Sequence, residues 1–174
     1  KKKNEVISKW PYNKLKDLST IKIGGTPSRE NRSFYVNGDH LWVSISELKN
    51  NIITSTKEKI TDEALKKSNV KLVKKDTTLI GFKLSIGKIA IAGKNLYTNE
   101  AIAAIELENE KKILNKYIYI LFESKFINLN EDVTKSFGKS LNSDHLKEIK
   151  IPLPPLTVQK KLVEDYFLIK NQQK

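Results

Sequence analysis

Leu146-Lys147-Glu148-Ile149-Lys150-Ile151-Pro152-Leu153-Pro154-Pro155-Leu156-Thr157-Val158-Gln159 is the stretch that decides how this chain is built. Apolar and charged residues alternate, prolines follow at 152, 154 and 155, and a helical pattern then begins. Proline lacks an N–H and clashes with a preceding helical turn, so these residues impose an extended stop. Thr157 reads as an N-cap for the helix that follows. Over residues 156–172, Val158, Leu162, Tyr166 and Ile169 fall on one helical face, and Val163 and Phe167 widen it. The pattern predicts a stiff joint between a globular body and a projecting helix. That helix carries more apolar surface than water tolerates, so it must pack on a partner helix, in a further part of its own polypeptide or in another subunit.

Upstream, residues 113–126 predict a helix, with Ile113, Tyr117, Ile120, Leu121 and Ser124 in three-four spacing. Thr61 or Asp62 is placed to cap a short helix through Ser68, and Ser143 or Asp144 a turn through Glu148. Residues 41–46, 69–73, 77–82, 88–92 and 101–107 read as strands. The last three are apolar at nearly every position, which predicts that both of their faces are covered. Gly24-Gly25-Thr26-Pro27 is turn chemistry, and a polar loop at 28–33 follows it. Short strands and short helices in this order predict an α+β fold: one domain with a twisted, mostly antiparallel or mixed sheet, then a C-terminal helix.

With 174 residues and 39% hydrophobic content, one buried core is expected. Without cysteine the chain has no disulfides and no thiolate metal ligands. His40 and His145 stand far apart and read as surface or turn residues rather than metal ligands. Without an apolar run of 18 residues or a secretory leader, the expectation is a soluble, cytoplasmic protein. Methionine is missing even at position 1, so the chain is expected to be a fragment of something longer. Thirty-two Lys and Arg against 20 Asp and Glu give a net charge of +12, which favours a polyanionic partner. Only Arg29 and Arg32 are arginine, and a lysine-rich composition accounts for part of the excess. The positive charge is scattered rather than gathered on one amphipathic helix, which argues for nucleic acid over a membrane surface.

Leu146 to Gln159 resembles the Ile-Pro-Leu-Pro-Pro-Leu-x-x-Gln close of a target recognition domain in the specificity subunits of type I restriction–modification enzymes. The likeness continues through Trp10, Leu15 and Asp17, through Gly24-Gly25-Thr26-Pro27-Ser28 and the Trp42 strand, and through Lys59-Ile60-Thr61. Gly87-Lys88-Ile89-Ala90 and Asn99 with Ala101-Ile102-Ala103 extend it. Glu100 stands where the family usually has Gln, and Val158-Gln159 where it usually has Glu-Gln. The resemblance implies a domain at residues 10–153, preceded by a basic leader or linker at 1–9 and followed by a spacer helix at 154–174. It implies a non-catalytic DNA reader that directs a partner or fused adenine methyltransferase and, in many systems, a translocating restriction subunit. S-adenosylmethionine is expected in that methyltransferase and not in this chain. The spacer helix is expected to meet a second spacer helix and the methyltransferase; in the chain by itself it is expected to support self-association or to pack on its own domain instead.

The residues agree with a reader rather than an enzyme. Leu153-Pro154-Pro155-Leu156 has the wrong flanks for an adenine methyltransferase motif, and Gly81 to Gly87-Lys88 has the wrong spacing and follower for a nucleotide-binding loop. Glu148-Ile149-Lys150 and Glu123-Ser124-Lys125 are triplets that recur by chance in a lysine-rich chain. Three polar loops have the composition to touch duplex DNA. Arg29, Asn31 and Arg32 offer guanidinium groups for guanine or phosphate. Lys49 and Asn50 offer a cation and an amide suited to adenine, and Lys135, Lys139 and Ser140 suit phosphate. The competing reading is a protein-interaction module built on the proline segment and the apolar helix.

Overall fold

A computed structural model of the chain describes residues 10–129 and 141–172. Its centre is a five-stranded sheet. Strands β2 (Ser19–Ile23), β4 (Asn51–Ile53), β6 (Thr78–Gly81), β7 (Ile89–Ala92) and β9 (Ile102–Leu107) lie in the order β2-β9-β6-β7-β4. All neighbours are antiparallel except β4, which runs parallel to β7. A second, three-stranded sheet is made of β3 (His40–Val43) between β5 (Glu58–Ile60) and β8 (Tyr97–Thr98). β1 (Tyr12–Lys14) pairs antiparallel with β10 (Lys150–Pro152) as a separate ribbon. The helices are α1 (Asp62–Lys67), α2 (Asn115–Glu123), α3 (Ser143–Lys147) and α4 (Leu156–Gln172). The fold is the α+β arrangement expected, with a mixed sheet and a C-terminal helix. None of the described helices is long and apolar enough to cross a membrane.

The near-continuous apolar runs at β6, β7 and β9 mean what their composition indicates. Successive side chains point to opposite faces. Ile80, Ile89, Ile91, Ala103 and Ile105 enter a core shared with Ile113, Tyr117 and Phe122 of the helical side. Leu79, Ala90, Ala92, Ile102 and Ala104 enter a second core with Val43, Leu48 and Ile53. The alanines on that side let the second sheet lie close. A smaller cluster of Phe34, Trp42, Ile60 and Ala64 fixes α1 against β3 and β5.

Local details depart from the sequence reading where tertiary contacts decide them. Thr61 caps α1 as expected, its hydroxyl accepting from the Ala64 N–H. Residues 69–73 do not form a strand, and only Val73 bridges to Leu96. Asn142, one residue before the expected caps, caps α3, with His145 Nδ1 accepting from the Asn142 N–H in return. His40 is tied by Nε2 to Asp62 at 2.7 Å and joins β3 to the start of α1. Thr157 lies inside the first turn of α4, because the Pro155 carbonyl already accepts from Val158 and Gln159.

The face that α4 buries differs from the one expected. Gln159 is fully buried, and Val163, Tyr166 and Phe167 pack beside it on the helical core, while Leu162 and Ile169 remain 38% and 56% exposed. The helix does not project freely: Phe167 stacks on Tyr119 of α2, and Lys170 pairs with Glu123. Gln159 explains the rotation. Its Oε1 accepts from the Leu114 N–H at 3.0 Å, and its Nε2 donates to the Lys112 and Pro154 carbonyls at 2.8 and 2.9 Å. One amide thus satisfies the start of α2, the segment before it and the proline joint. Nearby, the Tyr117 hydroxyl donates to the Pro152 carbonyl at 3.0 Å, and burial raises its pKa well above the usual phenol value.

Two tests follow from these contacts. Gln159→Ala leaves the buried Pro154 carbonyl and the half-buried Leu114 N–H and Lys112 carbonyl without this partner, so unfolding by urea should show a loss of about 1–3 kcal/mol. Leu162→Ala should change stability by less than about 0.5 kcal/mol, because its site is exposed. The second test is acid titration. Lys14 and Lys16 both pair with Glu148 at 2.6 Å and lower its pKa from 4.5 to about 2. A depressed carboxylate stabilises the fold above its unfolded pKa, and this contribution disappears as pH falls from 4.5 through about 2. Glu148→Gln should therefore remove part of the acid dependence of the melting temperature in that window and leave the slope above pH 6 unchanged.

Candidate nucleic-acid interface

Strand directions decide which loops meet. Gly81 at the end of β6 is opposite Ile102 at the start of β9, and Ile23 at the end of β2 is opposite Ala103. Asn51 at the start of β4 is opposite Ala90 near the start of β7. The segment after β2, the segment before β4, the β6–β7 turn and the segment before β9 therefore all leave one end of the central sheet. The two polar loops around 28–33 and 46–51, far apart in sequence, belong to this single end.

The first loop is held from below. The Gly24 N–H donates to Ile102 and the Gly25 N–H to Thr98, at 3.2 and 2.8 Å. A Cβ on Gly24 would come within 2.2 Å of the Thr98 carbonyl oxygen, so only glycine permits this approach. Trp42, 1% exposed, donates its indole N–H to the Gly25 carbonyl at 3.0 Å. Tyr35 in turn donates its hydroxyl to the Pro27 carbonyl at 2.5 Å.

Arg29 sits on this base. Its guanidinium carbon is 4.6 Å from the Tyr35 ring centroid and 4.9 Å from that of Trp42. Both of its arms pair with Glu58 of β5, at 2.5 and 2.9 Å. The Glu58 carboxylate raises the Arg29 pKa further, and Arg29 lowers that of Glu58, so both stay ionised. Arg29 is a clamp between the loop and the second sheet. Asn31 opens a short 3-10 turn, its Oδ1 accepting from the Ser33 N–H and hydroxyl at 3.1 and 2.7 Å. Arg32 follows on the surface, and no acidic partner lies in reach among the described residues. Glu100, next to this loop, pairs with the Thr26 hydroxyl, which lowers its pKa.

The second loop is equally ordered. Ser44 and Glu47 form a capping box, and the other Glu47 oxygen accepts the Lys57 N–H at 2.9 Å. The Asn51 side chain accepts from the Lys49 N–H at 2.8 Å, and the Asn50 N–H donates to Ile89 at 2.8 Å. Asn50 adopts φ 56°, a left-handed conformation that Asn tolerates. Backbone geometry is thereby fixed while the Lys49 and Asn50 side chains point to water. Lys135, Lys139 and Ser140 lie outside the described residues.

The sequence reading missed two features of this end. Glu58 is the partner that commits Arg29, and nothing in the local pattern signals a pairing across 29 positions. The β6–β7 turn stands between the two loops: Phe82 donates to the Ala101 carbonyl beside Glu100, and Ile89 accepts from Asn50. It adds Lys83 and Lys88, both exposed. Among the described residues there is no cluster of three or more His, Cys, Asp or Glu side chains able to hold a metal ion.

Residues 7–165 match the family described as the type I restriction modification DNA specificity domain. The chain is 30% identical over 174 residues to the type I restriction enzyme MjaIX specificity subunit of Methanocaldococcus jannaschii, covering 95% of this chain and 40% of that protein. It is 30% identical over 148 residues to the EcoR124I/EcoR124II specificity subunit of Escherichia coli, covering 81% and 36%. The chain thus spans about 40% of the length of the curated relatives it matches. Its fold is similar to that of the HsdS subunit from Thermoanaerobacter tengcongensis, with a TM-score of 0.70 and 17% identity over 94% of this chain and 37% of that one. It is also similar to the S subunit of the type I system from M. genitalium, with a TM-score of 0.62 and 17% identity over 93% and 39%. A match over nearly the whole chain, on a fold shared with solved specificity subunits, makes this protein a member of the type I restriction–modification DNA specificity domain family.

Proposed function

We propose that this chain is one target-recognition domain, with its spacer helix, of a specificity subunit that reads duplex DNA. In this reading it performs no catalysis itself. It holds an adenine methyltransferase, as a separate subunit or a fused domain, on its site, and a translocating restriction subunit acts through the same complex in the cytoplasm. S-adenosylmethionine belongs to the methyltransferase, since this chain has neither its glycine-rich loop nor its Asn-Pro-Pro-aromatic motif. The observation that carries the proposal is the family match over residues 7–165, combined with the convergence of polar loops on one end of the sheet.

The loop geometry divides the candidate residues by task. Arg32, Lys49 and Asn50 present free side chains and are proposed to meet phosphates and base edges. Arg29 and Asn31 shape the first loop from within. Lys135, Lys139 and Ser140 complete the proposed phosphate-binding set. On α4, Val163, Tyr166 and Phe167 lie against the chain's own core, so the surface left for a partner helix is the stripe of Val158, Leu162 and Ile169. Its occupant in this proposal is the second spacer helix of the assembled subunit, or that of another copy.

A salt titration tests DNA binding. With roughly five phosphates neutralised, the log-log slope of affinity against salt should be near −4 to −5, and a slope near zero would overturn the proposal. Arg32→Ala should make that slope shallower by about one without changing the melting temperature. Arg29→Ala should weaken binding and also cost about 1 kcal/mol of stability, from the lost ion pair and ring contacts. For the helix, Leu162→Glu with Ile169→Glu should leave the fold and the DNA affinity per domain intact. Sedimentation should show loss of self-association or of partner binding, and a stable complex with the doubly charged helix would refute the partner stripe.

A further inference from the structure

The β6–β7 turn places Leu84 at 80% exposure, whereas the next most exposed large apolar residue among the described residues, Leu168, stands at 61%. A single exposed leucine is ordinary on a protein surface. Three features make this one different. First, its backbone is fixed. Gly87 donates to the Gly81 carbonyl at 2.9 Å, Gly81 to Lys88 at 2.8 Å, and Lys88 to Ser85 at 3.2 Å. The turn folds so tightly over Gly81 that a Cβ there would come within 2.5 Å of the Ser85 carbonyl oxygen and 2.7 Å of the Ile45 side chain. Gly87 supplies the φ of 86° that closes the turn. Second, exposed lysines flank Leu84 on both sides, Lys83 and Lys88; neither forms an ion pair among the described residues, while Lys83 lies over the Phe82 ring at 5.5 Å and close enough to Glu100 to help lower its pKa. Third, the turn lies between the Thr26–Glu100 corner of the first loop and Asn50 of the second.

We infer that the β6–β7 turn is a further DNA-reading element, with Leu84 packing on a thymine methyl in the major groove and Lys83 and Lys88 holding the adjacent phosphates. The inference rests on the proposed DNA-binding function. An exposed apolar side chain on an ordered turn, flanked by two cations that form no ion pair among the described residues, is complementary to duplex DNA, whose major groove presents one apolar group, the C5-methyl of thymine, beneath a rim of phosphates.

Selection from a random-sequence duplex library, by the chain and by its Leu84→Ala variant, tests this. The wild-type consensus should contain a thymine position that the variant no longer requires. At the wild-type site, Leu84→Ala should lose about tenfold or more in affinity, with no change on unselected duplex or in melting temperature. Replacing that thymine by deoxyuridine should weaken the wild-type chain by a similar factor and leave the variant unaffected. Lys83→Ala with Lys88→Ala should instead weaken all duplexes and make the salt slope shallower by about two. An unchanged consensus and affinity in Leu84→Ala, or indifference of the wild-type chain to deoxyuridine at every thymine, overturns the inference and leaves the DNA-binding proposal standing. Failure of the wild-type chain to bind any duplex at low salt overturns both.

Discussion

Burial of both faces of β6, β7 and β9 constrains everything else in this molecule. A strand covered on both sides has no side chain to offer a ligand, so function must lie where the strands end. The helical side fills one face with large residues from α2 and α4. The other face carries Ala90, Ala92 and Ala104, and the small sheet around β3 closes over it. Strand direction then selects the end: the parallel placement of β4 beside β7 and the antiparallel return of β9 beside β6 bring the polar connections together.

At that end, rigidity and availability are assigned to different atoms. Backbone groups and the side chains of Trp42, Tyr35, Glu47, Asn51 and Glu58 are spent on holding the loops. The groups left over are lysine ammoniums, the Arg32 guanidinium and the Asn50 amide. Ordering a long side chain and its loop on binding opposes affinity, and loops ordered in advance avoid most of that loss. Arg29 illustrates the division: a residue type suited to guanine serves here as a stacked, doubly paired strut.

Much of this architecture was legible in the chain itself, and the failures have physical reasons. The apolar runs at 77–82, 88–92 and 101–107 betray doubly covered strands, and Thr61 and the three prolines mark real boundaries. The strands β1, β4, β5, β8 and β10 have two or three residues each, too few for periodicity to register, and pairing partners create them. The inner face of α4 escaped because Gln159 counts as polar in any apolar stripe, yet its three hydrogen bonds make it the most buried residue of the helix. Arg29 read as a free cation because Glu58 becomes its neighbour only through folding. Leu84 was invisible because its significance is an exposure, and exposure is a property of the folded surface.

The β1–β10 ribbon has a consequence for how such a body joins its surroundings. Tyr12 lies opposite Pro152, and the Leu153 N–H donates to the Pro11 carbonyl at 2.8 Å, so the polypeptide arrives and departs side by side. A body whose ends meet behaves as a cassette on a stalk. Exchanging everything between Pro11 and Leu153 for another body that keeps the ribbon and the α2 surface beneath α4 would leave the flanking segments at the same separation and angle. The polar loops at the end of the central sheet can then differ from one body to another, while the geometry of the flanking chain carries through the exchange.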